Sequence, residues 1–368
     1  VDVVDLFLRL ARQPTPPGRE RAAIDLVRDE LAALGIETIE DDAGPRIGSD
    51  AGNLLARIPG TAPGTPIFLN AHVDTVPPTA PIEPEVRDGW IVNAQPTILG
   101  ADNKASVAAM VDGIRRVLEE GIPHAGVELV VTLQEEVGLQ GAKAFDVDRL
   151  EARMGYVFDV DGPLGRMVMR APSQISLDLG FRGLAAHAGI APEEGRNAIQ
   201  AAALALADLE IGRLDAGSTR SIGMIGGGRQ RNIVADACDV QLEVRSLDDT
   251  RVGELAQEVV DAANRGAAAA GCSVEIAQRR EYTAYAHDER APVVELARTA
   301  LLAAGCMPDP IETGGGADAH VFNERGIPCL NISSGMELIH SADERIRVDD
   351  VRRMSDIAVE LVRAAASA

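Results

Sequence analysis

Pro66-Ile67-Phe68-Leu69-Asn70-Ala71-His72-Val73-Asp74 is an apolar run of strand length that stops on an imidazole and a carboxylate. Bounded by Pro66 and by Pro77-Pro78, it reads as a buried strand of a parallel sheet. In open α/β sheets, ligands sit beyond the carboxyl ends of the strands. His72 and Asp74 are two residues apart, so both can face the same side of an extended chain, one as ligand and the other behind it. A core histidine with a capping aspartate accounts for the pair equally well, and only the other segments can decide.

Working outward from this strand, the chain alternates helix and strand. Residues 2–12 carry acids early and arginine late, as a helix with a satisfied dipole does, and residues 19–34 repeat apolar side chains at helical spacing up to Gly35. Strand-like pieces follow near 36–40 and 53–58, then at 90–92. Gly100-Ala101-Asp102-Asn103-Lys104 leads into an amphipathic helix closed by Gly121, with Asp102 at its entrance, where capping alone would explain it. The buried strand 127–133 ends on Glu135-Glu136, and adjacent carboxylates at the end of an apolar strand imply a nearby cation. A fourth strand, 154–158, is followed by Asp159-Val160-Asp161-Gly162.

From about 173 to 281 the order becomes β-α-β-β-α-β, that of a ferredoxin-like unit, and the alternation of Gln241, Glu243 and Arg245 gives one covered and one wet face. From 291 the αβ pattern returns. The fold class expected is therefore α/β, a catalytic domain with a mixed, mostly parallel sheet (1–172 and 284–368) carrying an inserted ferredoxin-like domain (173–283). An edge strand of the insertion could pair with a second subunit, making it a lid and dimerisation module.

Composition narrows the functional classes. The chain has 368 residues, 46% hydrophobic and 25% charged, which suits two globular domains. A formal charge of -22 argues against nucleic acid and anionic membranes as partners and suits cations. The four cysteines form no C-x-x-C pair, which fits reduced, buried thiols in a cytoplasmic protein. Neither a membrane-length apolar run nor a basic leader is present. Gly226-Gly227-Gly228 and Gly314-Gly315-Gly316 lack the Gly-Lys-[Ser/Thr] of a P-loop, and a Gly-x-Ser-x-Gly elbow is absent.

What remains is a recurrence of acids and histidines at strand or loop ends: His72 and Asp74, Asp102, Glu135 and Glu136, Asp159 or Asp161, and His340. Together they offer nitrogen and oxygen ligands for a pair of borderline cations, one histidine to each and one carboxylate shared. Their setting in Asn70-Ala71-His72-Val73-Asp74-Thr75-Val76, Gly100-Ala101-Asp102-Asn103-Lys104, Glu135-Glu136-Val137-Gly138, Ala186-His187-Ala188-Gly189, Gly314-Gly315-Gly316-Ala317-Asp318 and Ile339-His340 resembles the di-zinc exopeptidases and deacylases that include peptidase T, carboxypeptidase G and aminoacylase. The resemblance spans the whole chain and is closest to the peptidase T-like branch.

That resemblance implies a zinc-exopeptidase-like catalytic domain that hydrolyses amide bonds of small peptides, as a tripeptide aminopeptidase does, with a metal-bridging hydroxide as nucleophile. Carboxypeptidase and N-acyl amino acid deacylase are the alternatives, and a non-catalytic peptide-binding relative is a more distant one. It implies two divalent ions, Zn2+ in the first place with Co2+ or Mn2+ as substitutes, held by His72, Asp102, Glu136, Asp159 and His340, with Asp161 as the alternative to Asp159. Glu135 is implied as general base and Asp74 as the group orienting His72. His187, Asn232 and Arg245 fall where the family places substrate contacts, and a homodimer through the lid is expected. The resemblance also implies a cis bond at Asp102-Asn103. His124, His287 and His320 lack partner acids at ligand spacing and read as surface or loop residues.

Overall fold

The structure, a computed structural model, describes residues 2–367. It divides into two compact units: one runs from the N-terminal side to Met169, takes Ala286–Glu312 and resumes at Ala317, and the other comprises Arg170–Tyr285 and Thr313–Gly316.

The larger unit is built on a mixed sheet whose centre is parallel. Strand Ile67–His72 pairs in parallel with Val127–Thr132 on one side and Gly155–Val160 on the other, and the latter pairs in parallel with Cys329–Ser333. Antiparallel strands, Leu54–Ile58 then Thr38–Glu40 at one edge and Arg166–Ala171 towards the other, extend it into the mixed sheet expected from the sequence. Strands Ile67–His72 and Val127–Thr132 are buried at every position, which is why they read as continuous apolar runs instead of alternating ones. Helices Val3–Ala11, Ala101–Glu119, Pro292–Ala303 and Val348–Ala365 bring their apolar faces into the same core. The first of these starts on an Asp2 carboxylate that accepts the Val4 amide at 2.9 Å, with Asp5 in its first turn and Arg9 in its last.

Because the central strands run in parallel, the loops after His72, Thr132 and Val160 emerge at one end of the sheet. A small separate sheet, Pro84–Arg87, Trp90–Asn93, Arg345–Arg347 and Met336–Glu337, carries the His340 loop between its last two strands. The sequence reading recovered only the Trp90 strand of it.

The second unit has strand order Gly212–Arg213, Ser218–Gly227, Ala237–Ser246, Ser173–Arg182, Ser273–Tyr282, all antiparallel, with helices Ala198–Ala207 and Asp249–Ala269 packed on one face. Asn197 and Asp248 cap those helices through their side chains. Cys238, Val240, Leu242 and Val244 point into the core, whereas Gln241, Glu243 and Arg245 alternate away from it. This is the ferredoxin-like order anticipated for the insertion.

Candidate metal centre and active site

His72 ends its strand almost fully buried. Its Nδ1 lies 3.1 Å from the Asp74 carbonyl oxygen and 3.3 Å from Asp74 Oδ1, so that a proton on Nδ1 directs Nε2 outward as a lone-pair donor. Nε2 faces Asp102 Oδ1 at 3.2 Å, Asp159 Oδ1 at 3.6 Å and Glu135 Oε2 at 3.9 Å. On the far side of Asp102, Oδ2 lies 3.3 Å from His340 Nε2, which also sits 3.0 Å from Glu136 Oε2. The Asp102 carboxylate thus stands between two imidazoles, one oxygen towards each.

Three overlapping sets of ligand atoms are close enough to hold an ion: His72, Asp102 and Asp159; His72, Glu135 and Glu136; Asp102, Glu136 and His340. Two observations test whether these residues suit cations. Asp102 Oδ1 and Glu136 Oε1 are buried without a hydrogen-bond partner, an expensive condition for carboxylate oxygens unless a cation completes them. The donors are imidazole nitrogen and carboxylate oxygen, the set preferred by Zn2+ and similar borderline ions. The residues fit.

Asp74 does more than orient His72. Fully buried, it accepts the Glu135 amide at 2.9 Å on Oδ1 and the Glu136 amide at 3.2 Å on Oδ2, tying the end of one strand to the loop after its neighbour. Asp159 receives Asn103 Nδ2 at 3.1 Å and is fixed through its backbone by Asn331, whereas the half-exposed Asp161 turns towards Arg166. The geometry therefore brings Asp159 into the cluster and leaves Asp161 outside it.

Crowding like charges in a dry site moves their proton affinities. Burial, and then the neighbouring Asp159, drives the Glu135 carboxyl well above the carboxylate range. Burial and the adjacent Asp102 carry Glu136 up to about 7. Burial also raises Asp159. For Asp102, burial is outweighed by the His340 and His72 rings, and its carboxyl is held below the ordinary value. Hydrogen bonding to Asp102 and Glu136 takes His340 up to about 10, and His72 is raised too, because Asp102, Asp159 and Asp74 overcome the opposing effect of burial. Protons here neutralise charge that a cation would otherwise balance.

Sequence reasoning misplaced some residues. Asp102 does not cap its helix: Gly100 occupies the position before Ala101, and Asp102 and Asn103 depart from helical geometry around a cis peptide bond between them. His124 and His287 lie in loops, as expected, but His124 is buried and His287 half-buried, and His320 is buried in helix Ala319–Glu324, because packing against core and backbone carbonyls is not revealed by ligand spacing. Asp318, quoted only as the end of the Gly314–Asp318 motif, and Glu344 carry no role in the sequence reading, and both are buried. Asp318 bonds the Thr132 hydroxyl and is raised to about 7, chiefly by burial, and Glu344 accepts the Gly100 and Asp102 amides. Both act across more than 180 residues of chain, beyond the reach of local patterns.

In the lid unit, His187 and Asn232 are exposed on adjacent loops, joined by the Ala188 amide donating to the Asn232 carbonyl at 2.9 Å. Arg245 lies at the opposite end of the lid sheet: the strand register places Ala237 beside Arg182 and Arg245 beside Gln174, about 26 Å further along at ~3.3 Å per residue. Its guanidinium is already engaged by the Glu243 carboxylate through Nε and Nη2, and by the Gly314 carbonyl through Nη1.

An α/β domain that gathers two histidines and four carboxylates at its strand ends, with a ferredoxin-like insertion, defines a metallohydrolase architecture. The chain belongs to peptidase family M20/M25/M40, whose profile matches residues 68–364, and it is a hydrolase of peptide bonds. The structure of aminopeptidase PepT from Bacillus cereus ATCC 10987 superposes with a TM-score of 0.89 at 36% identity, covering 99% of this chain and 98% of that one. A tripeptidase from Staphylococcus aureus subsp. aureus Mu50 superposes with a TM-score of 0.94 at 31% identity, covering 100% and 98%. The curated protein YqjE of Bacillus subtilis (strain 168) is 34% identical over 365 residues, 99% of this chain and 98% of its own length. No helix among the described residues is long and apolar enough to cross a membrane.

Proposed function

We propose that the chain is a tripeptide aminopeptidase that works with two divalent cations, Zn2+ in the first place. The observation that carries the two-cation reading is the Asp102 carboxylate, whose separate oxygens face His72 and His340. The substrate class is supported by full-length likeness to a solved aminopeptidase and a solved tripeptidase. His72 and Asp159 would hold one ion, Glu136 and His340 the other, and Asp102 both. Bound there, such ions would lower the pKa of a coordinated water towards about 7 and polarise the scissile carbonyl.

The protein's own groups supply the rest. Glu135 is buried, close to His72 Nε2 and high in proton affinity, which suits it to take a proton from water and return it to the departing amine. Asp74 holds the Glu135 and Glu136 amides together and fixes the His72 tautomer, so three ligating or proton-carrying groups depend on one carboxylate.

His187, Asn232 and Arg245 are the proposed substrate contacts. An extended tripeptide spans at most about 11 Å, far less than the distance between the two ends of the lid sheet, so a single lid unit does not bring all three to one substrate. A homodimer resolves this by pairing Arg245 with His187 of the partner subunit. It is supported by strand Ser218–Gly227, which beyond Arg220 has no further partner strand on its outer side among the described residues, and by exposed Met224, Ile225, Ile199 and Leu204 nearby in the same unit. Four unpaired cysteines suit a cytoplasmic location.

The test is a panel of free, N-acetylated and C-amidated tripeptides incubated with the metal-loaded protein. Release of the N-terminal residue from free tripeptides, lost on N-acetylation, is the expected result. Preference for N-acylated substrates would replace the proposal with a deacylase, and release of the C-terminal residue would replace it with a carboxypeptidase.

A further inference from the structure

We infer that Glu344 is a positioning residue that sets the shared carboxylate Asp102; the inference rests on the reading of this site as a two-cation centre. Glu344 is 1% exposed, and its two oxygens accept the Gly100 amide at 2.8 Å and the Asp102 amide at 2.7 Å. The Asp102 amide belongs to the start of helix Ala101–Glu119 and the Gly100 amide to the residue just before it, where N–H groups lack partners within the helix. Glu344 therefore caps the helix from a distant part of the chain, and the positive end of the helix favours an anion in that place.

The cap lies directly behind the chemistry. Glu344 leads into strand Arg345–Arg347, four residues after His340, and its other contact is the backbone of Asp102 itself. One side chain thus links the loop that carries His340 to the turn that carries Asp102, two of the three residues in the candidate cation set Asp102, Glu136 and His340. The loop's following strand is anchored in turn by Arg345 and Arg347, whose guanidinium groups lie 4.3 Å and 4.1 Å from the Trp90 ring centre.

Lys104 lies against the same turn. It is fully buried and donates from Nζ to the Gln13 carbonyl at 2.9 Å. The turn above is shaped for it: Gly100 has φ +81°, and a Cβ there would stand 2.5 Å from Lys104 Cε and 2.8 Å from Nζ.

The test titrates CoCl2 into EDTA-stripped wild-type protein and Glu344→Gln, following heat and the visible Co2+ absorption. Glutamine can accept only one of the two amides and turns an NH2 towards the other. The wild type should take up two equivalents. In the variant, the more weakly held equivalent should lose about 10- to 100-fold in affinity, as for other groups that orient metal ligands, with a changed Co2+ spectrum and a fall in kcat larger than any change in KM. A folded variant with unchanged affinities and spectrum overturns the proposal. A wild type that fails to take up two equivalents overturns the two-cation reading instead, and the proposal with it. Should Glu344→Gln not fold, amide exchange in the wild-type metal-free protein decides: protection of the Gly100 and Asp102 amides supports the cap, and rapid exchange at both rejects it.

Discussion

Replacing Asp74 with asparagine probes how much of the site hangs on a single buried carboxylate. Asp74 receives two amides, at 2.9 and 3.2 Å, and approaches His72 Nδ1 at 3.3 Å, all without solvent. Asparagine keeps one acceptor and points an NH2 at the second amide or at the imidazole. One charge-assisted hydrogen bond is lost, about 1.5–3 kcal/mol, and a buried donor is left unpaired, about 1–3 kcal/mol. Burying a neutral group in place of a carboxylate offsets part of this, so a net destabilisation of about 2–4 kcal/mol follows. Because the same change frees the 135–136 loop and the His72 tautomer, cation affinity should also fall by about 10- to 100-fold. Urea unfolding of the EDTA-treated protein reads the first effect, and calorimetric Co2+ titration reads the second. If Asp74→Asn left both the unfolding midpoint and the Co2+ affinity unchanged, the assignment of Asp74 as the brace between the two strand ends would be wrong.

Other expectations concern the reaction and its pH dependence. Glu135→Ala should reduce turnover by about 10²–10⁴-fold, the usual range for a lost general base, while the metal content measured by atomic emission stays at the wild-type level; appreciable activity would exclude Glu135 from proton transfer. His187→Ala should lower kcat at constant metal content, and an unchanged rate would remove that histidine from the reaction. Chelation should abolish peptide hydrolysis and Zn2+, Co2+ or Mn2+ should restore it; failure with every ion would leave only a non-catalytic peptide binder. In the metal-free protein, Glu136 and Glu344 are raised to about 7 from the ordinary glutamate value of 4.5, chiefly by burial, and His340 to about 10 from 6.5, chiefly by its hydrogen bond to Asp102. Folded groups with raised proton affinity stabilise most below the unfolded value and lose that contribution as pH rises through the folded one. The melting temperature without metal should therefore fall from pH 5 to pH 8, whereas saturating Zn2+ should flatten or reverse the trend, since cations replace those protons; a rising metal-free curve would contradict this balance of charge.

The sequence carried the fold where burial leaves a local trace. Ile67–His72 and Val127–Thr132 lie inside a parallel sheet and are apolar throughout, and the lid strand Ala237–Ser246 alternates because only one face is covered. Site residues were legible for a related reason: parallel strands deliver their last side chains to one end of a sheet, so His72 and Glu135 could be paired before any coordinates. The small sheet around Trp90 was hidden because its strands are as short as two residues and come from chain segments far apart. Glu344 and Lys104 were hidden more completely. An acid four residues past a histidine and a lysine on a helix both look solvated, and only the tertiary fold buries them around the turn that carries Asp102.

Anomalous diffraction from crystals of the Zn2+-loaded protein addresses the two-cation centre most directly. Two peaks should lie on opposite sides of the Asp102 carboxylate, one within bonding distance of His72 and Asp159 and the other of Glu136 and His340. A single peak, or peaks away from Asp102, would contradict the account.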